Sequence, residues 1–229
     1  MSNLPFSVAI DGPSGAGKST LARRAAERFG FLYVDTGAIY RCVGLASLRA
    51  GLSTKDAEAV IALLPKLSIR LAYNEAGEQR MYLDGEDVSS EIRLPEVSIA
   101  ASDVSAIAEV RLFLLEMQRK LARENSVIMD GRDIGTVVLP DAALKVFLTA
   151  SAEARAQRRL LELEQKGVAT SFEEVLRDIQ YRDEQDSSRA AAPLKQAEDA
   201  VLLDTSEIGL EESVDALCAI IEKRMGELA

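Results

Sequence analysis

Residues 7–19 have the sequence SVAIDGPSGAGKS, in which a short apolar run leads directly into a glycine-rich segment. The run from Ser7 to Asp11 is closed by Gly12, which is typical of a buried strand in a parallel sheet. A helix is predicted from about Lys18 to Phe29, because apolar residues recur there at helical spacing. The chain is therefore expected to begin with a strand, a glycine-rich loop and a helix.

The loop itself matches the pattern G-x-x-x-x-G-K-S/T from Gly12 to Ser19. Its glycines allow a tight turn with N–H groups directed at phosphate oxygens, and the helix adds the positive end of its dipole. Lys18 can reach the β and γ phosphates, and the Ser19 hydroxyl can ligate Mg²⁺. A plain glycine-rich turn is the alternative, but it needs neither the lysine nor the serine. The pattern predicts ATP or GTP binding without identifying the acceptor.

The residues expected to bind the nucleotide form one continuous segment. They are Gly12, Pro13, Ser14, Gly15, Ala16, Gly17, Lys18, Ser19 and Thr20.

Four more short apolar segments follow, and helical patterns separate them. We expect strands at residues 31–34, 126–130, 144–148 and 201–204. This alternation predicts an α/β fold in which a five-stranded parallel sheet is flanked by helices. Residues 67–88 differ, because alternating apolar residues surround a polar turn and predict a small antiparallel hairpin inserted into the fold.

Polar residues mark the predicted starts of several helices. Ser53 or Thr54 is expected to cap a helix that runs through Leu64. Ser151 and Ser171 are expected to cap two later helices.

The composition excludes several kinds of chemistry. None of the 229 residues is histidine, which rules out a Ser-His-Asp triad, histidine-ligated zinc and a phosphohistidine intermediate. Cys42 and Cys218 form no C-x-x-C motif, which fits a reduced cytoplasmic protein. The net charge of −10 argues against a nucleic-acid-binding surface. No apolar run approaches the ~18 residues of a membrane span, and the N-terminus has no signal-peptide pattern, so we expect a cytoplasmic protein without membrane attachment.

Two groups of charged residues are candidates for a ligand site: Asp130 at the end of a predicted strand, and three arginines of one predicted helix. Asp130 ends an apolar strand, so its carboxylate is expected in the ligand crevice, where it can hold Mg²⁺ through water. A turn or cap aspartate is the alternative. Arg155, Arg158 and Arg159 share one helix face, and such like charges repel unless an anion lies among them.

Five segments give the chain a resemblance to a known family. They are IDGPSGAGKST at 10–20, DTGAIYR at 35–41, LDGEDVSSEIR at 83–93, DGRDIGTVVLPDA at 130–142 and RDEQDSSRAAAPL at 182–194. With them the chain resembles the bacterial cytidylate kinases, which are P-loop nucleoside monophosphate kinases acting on CMP and dCMP. The resemblance covers nearly the whole chain.

The resemblance implies a single kinase domain with three regions. The core is expected at about 1–36, 105–150 and 195–229, the monophosphate-binding region with its hairpin insertion at about 37–104, and a helical lid at about 151–194. Closure of the lid is expected to bring arginine onto the transferring phosphoryl group, with surface ion pairs as the alternative role for the charged residues there. Lys18, Arg158, Arg159 and Asp130 are accordingly expected to be catalytic.

The resemblance also implies an acceptor site that reads cytosine. The residues expected to bind CMP are Thr36, Arg41, Ser102, Arg111, Arg132, Asp133, Arg182, Asp186 and Arg189. Among them, Ser102 and Asp133 are expected near the cytosine amine and Arg111 near its ring acceptors, which predicts poor use of UMP.

The expected reaction is ATP + CMP or dCMP giving ADP + CDP or dCDP, with Mg²⁺, by in-line transfer in a monomeric enzyme. Such transfer depends on positioning and charge stabilisation, so a chain without histidine can perform it. Two alternatives stay open at this point. One is a P-loop kinase for another acceptor such as UMP, shikimate or dephospho-coenzyme A, and the other is a nucleotide-dependent switch.

Overall fold

The fold was analysed in a computed structural model of the chain, which describes residues 5–165 and 167–228. Its strands are β1 (Ser7–Asp11), β2 (Leu32–Asp35), β3 (Ile69–Tyr73), β4 (Gln79–Leu83), β5 (Glu86–Asp87), β6 (Val127–Gly131), β7 (Leu144–Thr149) and β8 (Val201–Asp204). Its α-helices are α1 (Lys18–Phe29), α2 (Thr36–Arg49), α3 (Ala57–Leu63), α4 (Pro95–Ser105), α5 (Ala108–Glu124), α6 (Ala152–Gln165), α7 (Phe172–Ser188) and α8 (Leu210–Leu228).

A five-stranded parallel sheet has the strand order β2-β6-β1-β7-β8, and its strands are the five that the apolar segments predicted. Strand β1 pairs in parallel with both β6 and β7, so that Ile10 lies opposite Asp130 on one side and Val146 on the other. Asp11 is likewise the partner of Gly131. The phosphate loop and the segment that follows β6 therefore leave the sheet next to each other, at its carboxyl edge.

The chain forms two compact units, of which the first contains the described residues up to Tyr33 and those from Ala122 onward. In this unit α1 and α8 pack on the sheet. Its core includes Ile10, Ile128 and Leu148 from the strands and Leu217 from α8, all essentially inaccessible to solvent. The central strands β1 and β6 are buried on both faces, which explains their apolar sequences, whereas the edge strand β8 is partly exposed.

The second unit, Val34–Leu121, contains the inserted hairpin. Strands β3 and β4 pair antiparallel, with Ile69 opposite Leu83, which confirms the predicted hairpin; β5 adds a third strand beside β4. Helices α2 and α4 approach closely at Gly44, where an added Cβ would lie 2.9 Å from the backbone nitrogen of Ala101. A glycine is therefore needed at that crossing.

Two of the three predicted helix caps are confirmed and one is wrong. Ser151 accepts a hydrogen bond from the backbone N–H of Ala154, and Ser171 caps α7 in a capping box. Helix α3, in contrast, begins after Asp56, whose carboxylate accepts from the N–H of Ala59. Thr54 does not cap it, because its hydroxyl donates to Asp103 at 2.6 Å.

Over residues 5–165 and 167–228, the helices lack the combination of length and apolar composition that crossing a membrane requires.

Candidate active site

The phosphate loop follows β1 and depends on glycines in left-handed backbone conformations. Gly12, Gly15 and Gly17 have φ values of +153°, +76° and +86°, which glycine adopts without the steric cost that other residues incur. A Cβ on Gly12 would lie 1.9 Å from the carbonyl oxygen of Leu148 in β7. The loop therefore begins pressed against the neighbouring strand, where a side chain has no room.

Lys18 is the first residue of α1, and its side chain folds back into the loop. Its ammonium donates to the carbonyl oxygens of Gly12 at 2.8 Å and Pro13 at 2.7 Å. Burial and, to a smaller extent, the nearby positive charge of Arg132 lower the pKa of Lys18 to about 7. The loop thus holds the Lys18 amino group in a buried position through two of its own carbonyl oxygens.

Ser19 and Asp130 form the oxygen pair that the sequence predicted for a metal. The Ser19 hydroxyl donates to Asp130 Oδ2 at 2.9 Å, and the Tyr33 hydroxyl donates to Asp130 Oδ1 at 3.0 Å. A hydroxyl and a carboxylate are oxygen ligands of the kind Mg²⁺ prefers, and Mg²⁺ usually takes few protein ligands beside phosphates and water. This donor set therefore fits Mg²⁺.

Asp11 is a buried charged residue beside the phosphate loop that the sequence analysis did not single out. It is almost fully buried at the end of β1, where its carboxylate accepts from the backbone N–H groups of Ile134 and Gly135, both at 2.7 Å. Burial raises the pKa of Asp11 to about 6, although both hydrogen bonds lower it. Asp11 thereby anchors the π-helical turn Ile134–Val138 and, with it, the two charged residues that precede the turn.

Those two residues, Arg132 and Asp133, belong to a network of alternating charges. The Arg132 Nε donates to Asp186 Oδ2 at 2.6 Å, and Arg189 Nη2 lies 3.8 Å from Asp133 Oδ1. Arg189 Nη1 also lies 4.0 Å from Asp186 Oδ1. Four residues expected to bind the acceptor are thus brought together by the segment after β6 and the end of α7.

Arg182, a fifth expected acceptor residue, lies on the exposed side of α7, one turn before Asp186. Desolvation lowers the pKa of Arg182, and the positive charges of Arg159 and Arg132 act in the same direction, whereas the negative charges of Asp178 and Asp186 raise it. Charged residues of both signs, from α6, α7 and the segment after β6, therefore act electrostatically on Arg182.

The three arginines of α6 reach different partners. Arg155 forms a fork with Asp183 of α7, and Arg159 contacts Glu162 at 3.0 Å. Arg158 donates to the Thr205 hydroxyl at 3.2 Å, to the Thr205 carbonyl, and to the carbonyl of Ile208 at 3.4 Å. A shared helix face thus did not indicate a shared partner, and the Arg155–Asp183 fork was missed.

The other four expected acceptor residues belong to the second unit. Thr36 begins α2 and is buried, and Arg41 Nη1 lies 3.6 Å from Asp35 Oδ2. Arg111 of α5 donates to the carbonyl of Ser105 at 3.2 Å, with its guanidinium 5.4 Å from the centre of the Tyr40 ring.

Ser102, the last of these four, is exposed on α4 and three residues from Ser105, and its carbonyl accepts from the Ser105 hydroxyl.

Comparison with known proteins agrees with the motifs. The family model described as cytidylate kinase matches residues 8–223. A protein named cytidylate kinase from Caldanaerobacter subterraneus subsp. tengcongensis is 50% identical over 223 residues, which cover 97% of each chain. Another of that name, from Caldicellulosiruptor bescii, is 48% identical over 218 residues, covering 95% of this chain and 96% of its own.

A solved structure with little sequence similarity shares the fold. It is a gluconokinase from Sinorhizobium meliloti, which is 16% identical, has a TM-score of 0.51 and covers 98% of this chain and 96% of its own. At this identity the likeness shows the fold alone. By both motif and overall sequence, the chain belongs to the cytidylate kinase family.

Proposed function

We propose that the chain transfers the γ-phosphoryl group of ATP to CMP and dCMP, producing ADP with CDP or dCDP. The observation that carries the proposal is the alternating network of Arg132, Asp133, Asp186 and Arg189. Two of its members, Arg132 and Asp186, act electrostatically on Lys18 of the phosphate loop. A phosphate-donor loop beside a second polar cluster supports transfer to a small acceptor rather than nucleotide binding alone. The match to relatives named cytidylate kinase supports CMP as that acceptor.

On the donor side, the N–H groups of the loop bind the phosphates and Lys18 neutralises charge on the β and γ groups. Ser19 would hold Mg²⁺, with Asp130 acting through water. When bound, Mg²⁺ supplies charge neutralisation at the phosphate oxygens. The chain's own contribution is to hold ATP with its γ phosphate fixed in place.

On the acceptor side, we assign phosphate binding to arginines, because a planar guanidinium matches phosphate oxygens. Arg41, Arg132, Arg182 and Arg189 are the proposed cations, and Thr36 and Asp186 offer hydroxyl and carboxylate contacts. Lid arginines Arg158 and Arg159 are proposed to act on the transferring group, where charge develops in the transition state.

Base selection follows from hydrogen-bond polarity. Cytosine presents an amine donor and a ring-nitrogen acceptor where uracil presents a carbonyl and an N–H. Asp133 and Ser102 are proposed to accept from the amine, and Arg111 to donate to the ring acceptors. Uracil would then place a carbonyl against a carboxylate, and a buried mismatch of this kind can discriminate by about 10⁴-fold in kcat/KM.

The proposal extends to the setting of the enzyme, which we take to be a cytoplasmic monomer without a nucleic-acid partner. The net charge of −10 supports the last point. Size-exclusion chromatography with light scattering tests the monomer.

The test of function is ADP formation with a panel of acceptors: CMP, dCMP, UMP, shikimate and dephospho-coenzyme A. We expect CMP and dCMP to be good acceptors and UMP a poor one. Preference for another acceptor would overturn the cytosine assignment, and ATP hydrolysis without any acceptor would support a switch instead.

A further inference from the structure

Arg155 is a nearly fully buried arginine of α6 that contacts three separate segments. Its Nε donates to the carbonyl of Ala150 and its Nη1 to the carbonyl of Ser14, both at 2.9 Å. The same guanidinium forms a two-pronged contact with Asp183, at 2.9 Å and 2.6 Å. One side chain therefore joins the end of the sheet, the phosphate loop and α7.

The contact with Ser14 fixes the direction of a peptide group in the phosphate loop. A peptide is planar and almost always trans, so the N–H of Gly15 is directed opposite to the carbonyl of Ser14. Because Arg155 holds that carbonyl, the Gly15 amide is directed away from Arg155. A Cβ on Gly15 would lie 3.5 Å from the Cβ of Arg155 and 3.9 Å from Ile179 of α7, so both residues pack against this peptide.

Asp183 makes the arrangement possible in a buried position. An isolated guanidinium is costly to bury, whereas one that is paired and hydrogen-bonded is tolerated. The two-pronged geometry also fixes the plane of the guanidinium, which sets the position of Nη1 relative to Ser14. The Arg155 guanidinium cannot rotate without breaking its two hydrogen bonds to the Asp183 carboxylate.

We infer that Arg155 is a positioning residue for the donor phosphates: Asp183 holds its guanidinium, and the guanidinium holds the Ser14–Gly15 peptide with its amide available to phosphate. This inference rests on the proposed binding of ATP by the loop. It assigns no contact between Arg155 and the nucleotide, so its effect should appear in donor affinity and much less in acceptor affinity.

The test uses Arg155→Lys, which keeps the charge but loses the fork, and Asp183→Asn, which keeps the shape but loses the charge. Calorimetric titration gives the Kd of a non-hydrolysable ATP analogue with Mg²⁺ and, separately, the Kd of CMP. We expect the analogue Kd to rise about tenfold in Arg155→Lys and less in Asp183→Asn, with the CMP Kd changed less than about twofold. The double variant should be no worse than Arg155→Lys, because the two residues act in series.

The exposed fork between Arg24 of α1 and Glu211 of α8, at 2.5 Å and 2.7 Å, provides matched controls. Arg24→Lys and Glu211→Gln should leave the analogue Kd unchanged. A folded Arg155→Lys variant with wild-type affinity for the analogue would overturn the inference.

If Arg155→Lys fails to fold, Asp183→Asn decides, since Asp183 is only partly buried. Its analogue Kd should rise and the NMR resonance of the Gly15 amide should move; an unchanged Kd with an unmoved Gly15 resonance would overturn the inference. A wild-type chain that binds the analogue but phosphorylates no acceptor would refute the proposed function, while the Kd comparison would still decide the role of Arg155.

Discussion

Replacing Asp11 with asparagine is expected to change how stability depends on pH. In the folded chain, burial raises the pKa of Asp11 from 3.8 to about 6. A group with a higher pKa in the folded state binds more protons there than in the unfolded chain. Its contribution to stability is therefore complete below pH 3.8 and is lost as the pH rises through 6.

The expected magnitude follows from the size of this shift. Between pH 7 and pH 5 the wild-type chain should gain about 1 kcal/mol from Asp11 alone, because one pKa unit corresponds to about 1.4 kcal/mol. Asparagine does not titrate and gains nothing over this interval. The free energy of unfolding of the wild type, minus that of Asp11→Asn, should therefore be about 1 kcal/mol larger at pH 5 than at pH 7.

Urea-induced unfolding of both proteins at pH 5, 6 and 7 measures this difference. Asp199→Asn is the control, because the hydrogen bond from Lys145 lowers the pKa of Asp199. The contribution of Asp199 to stability is lost only as the pH falls to 3.8 and below. The difference in unfolding free energy between the wild type and Asp199→Asn should therefore stay constant between pH 7 and pH 5. A difference for Asp11→Asn that is independent of pH, or that shrinks toward pH 5, would refute the reasoning.

Lys18→Met should lower kcat by about a hundredfold or more, since it removes a positioned cation from developing charge; near-normal turnover of the folded variant in an ADP-release assay would contradict this. Asp133→Asn should reduce kcat/KM for CMP and narrow its ratio to UMP, because an amide can donate to the uracil carbonyl; an unchanged ratio would argue against base selection by Asp133. Arg158→Ala and Arg159→Ala are expected to lower kcat with little change in KM for CMP, and Arg158→Ala should also lower Tm because Arg158 holds backbone carbonyls; normal kcat in both single variants would count against a role on the transferring group. Gly12→Ala should yield little folded protein, because its Cβ would lie 1.9 Å from a carbonyl of β7; a soluble variant with normal Tm would disprove the steric argument.

The strands could be predicted because their signal is local and strong. A parallel strand covered on both faces leaves a continuous apolar run, and β6 illustrates this with five buried residues in succession. The start of α3 was predicted wrongly because Thr54 and Asp56 are both competent caps. The choice between them is made by the Thr54–Asp103 hydrogen bond, which joins residues 49 positions apart.

Site residues were likewise predictable where their chemistry depends on neighbouring residues in sequence, and not where it depends on distant ones. The phosphate loop was predictable because its chemistry lies within eight consecutive residues, from Gly12 to Ser19. Asp11 was not, since its partners are more than 120 residues away in sequence. For Arg155 and Arg158, helical spacing indicated a common face, but a long side chain can reach in several directions from one face.

Burial adds a kind of information that a sequence does not contain. Among the described residues that are almost inaccessible to solvent, the charged ones are Asp11, Lys18, Asp130, Asp133 and Arg155. Each of these five lies in, or has a polar contact with, the phosphate loop or the segment that begins at the end of β6.

Burying a charge destabilises a fold unless it is paired, so charges confined to one part of the first unit are not accounted for by stability. Such charges destabilise the fold, but a site for phosphates needs groups that are already oriented and shielded from water. Lys18 illustrates this cost directly, because burial lowers its pKa to about 7. The two loops that the parallel pairing of β1 and β6 places side by side thus contain the predicted phosphate-binding residues and contain or contact all five buried charges of the described chain.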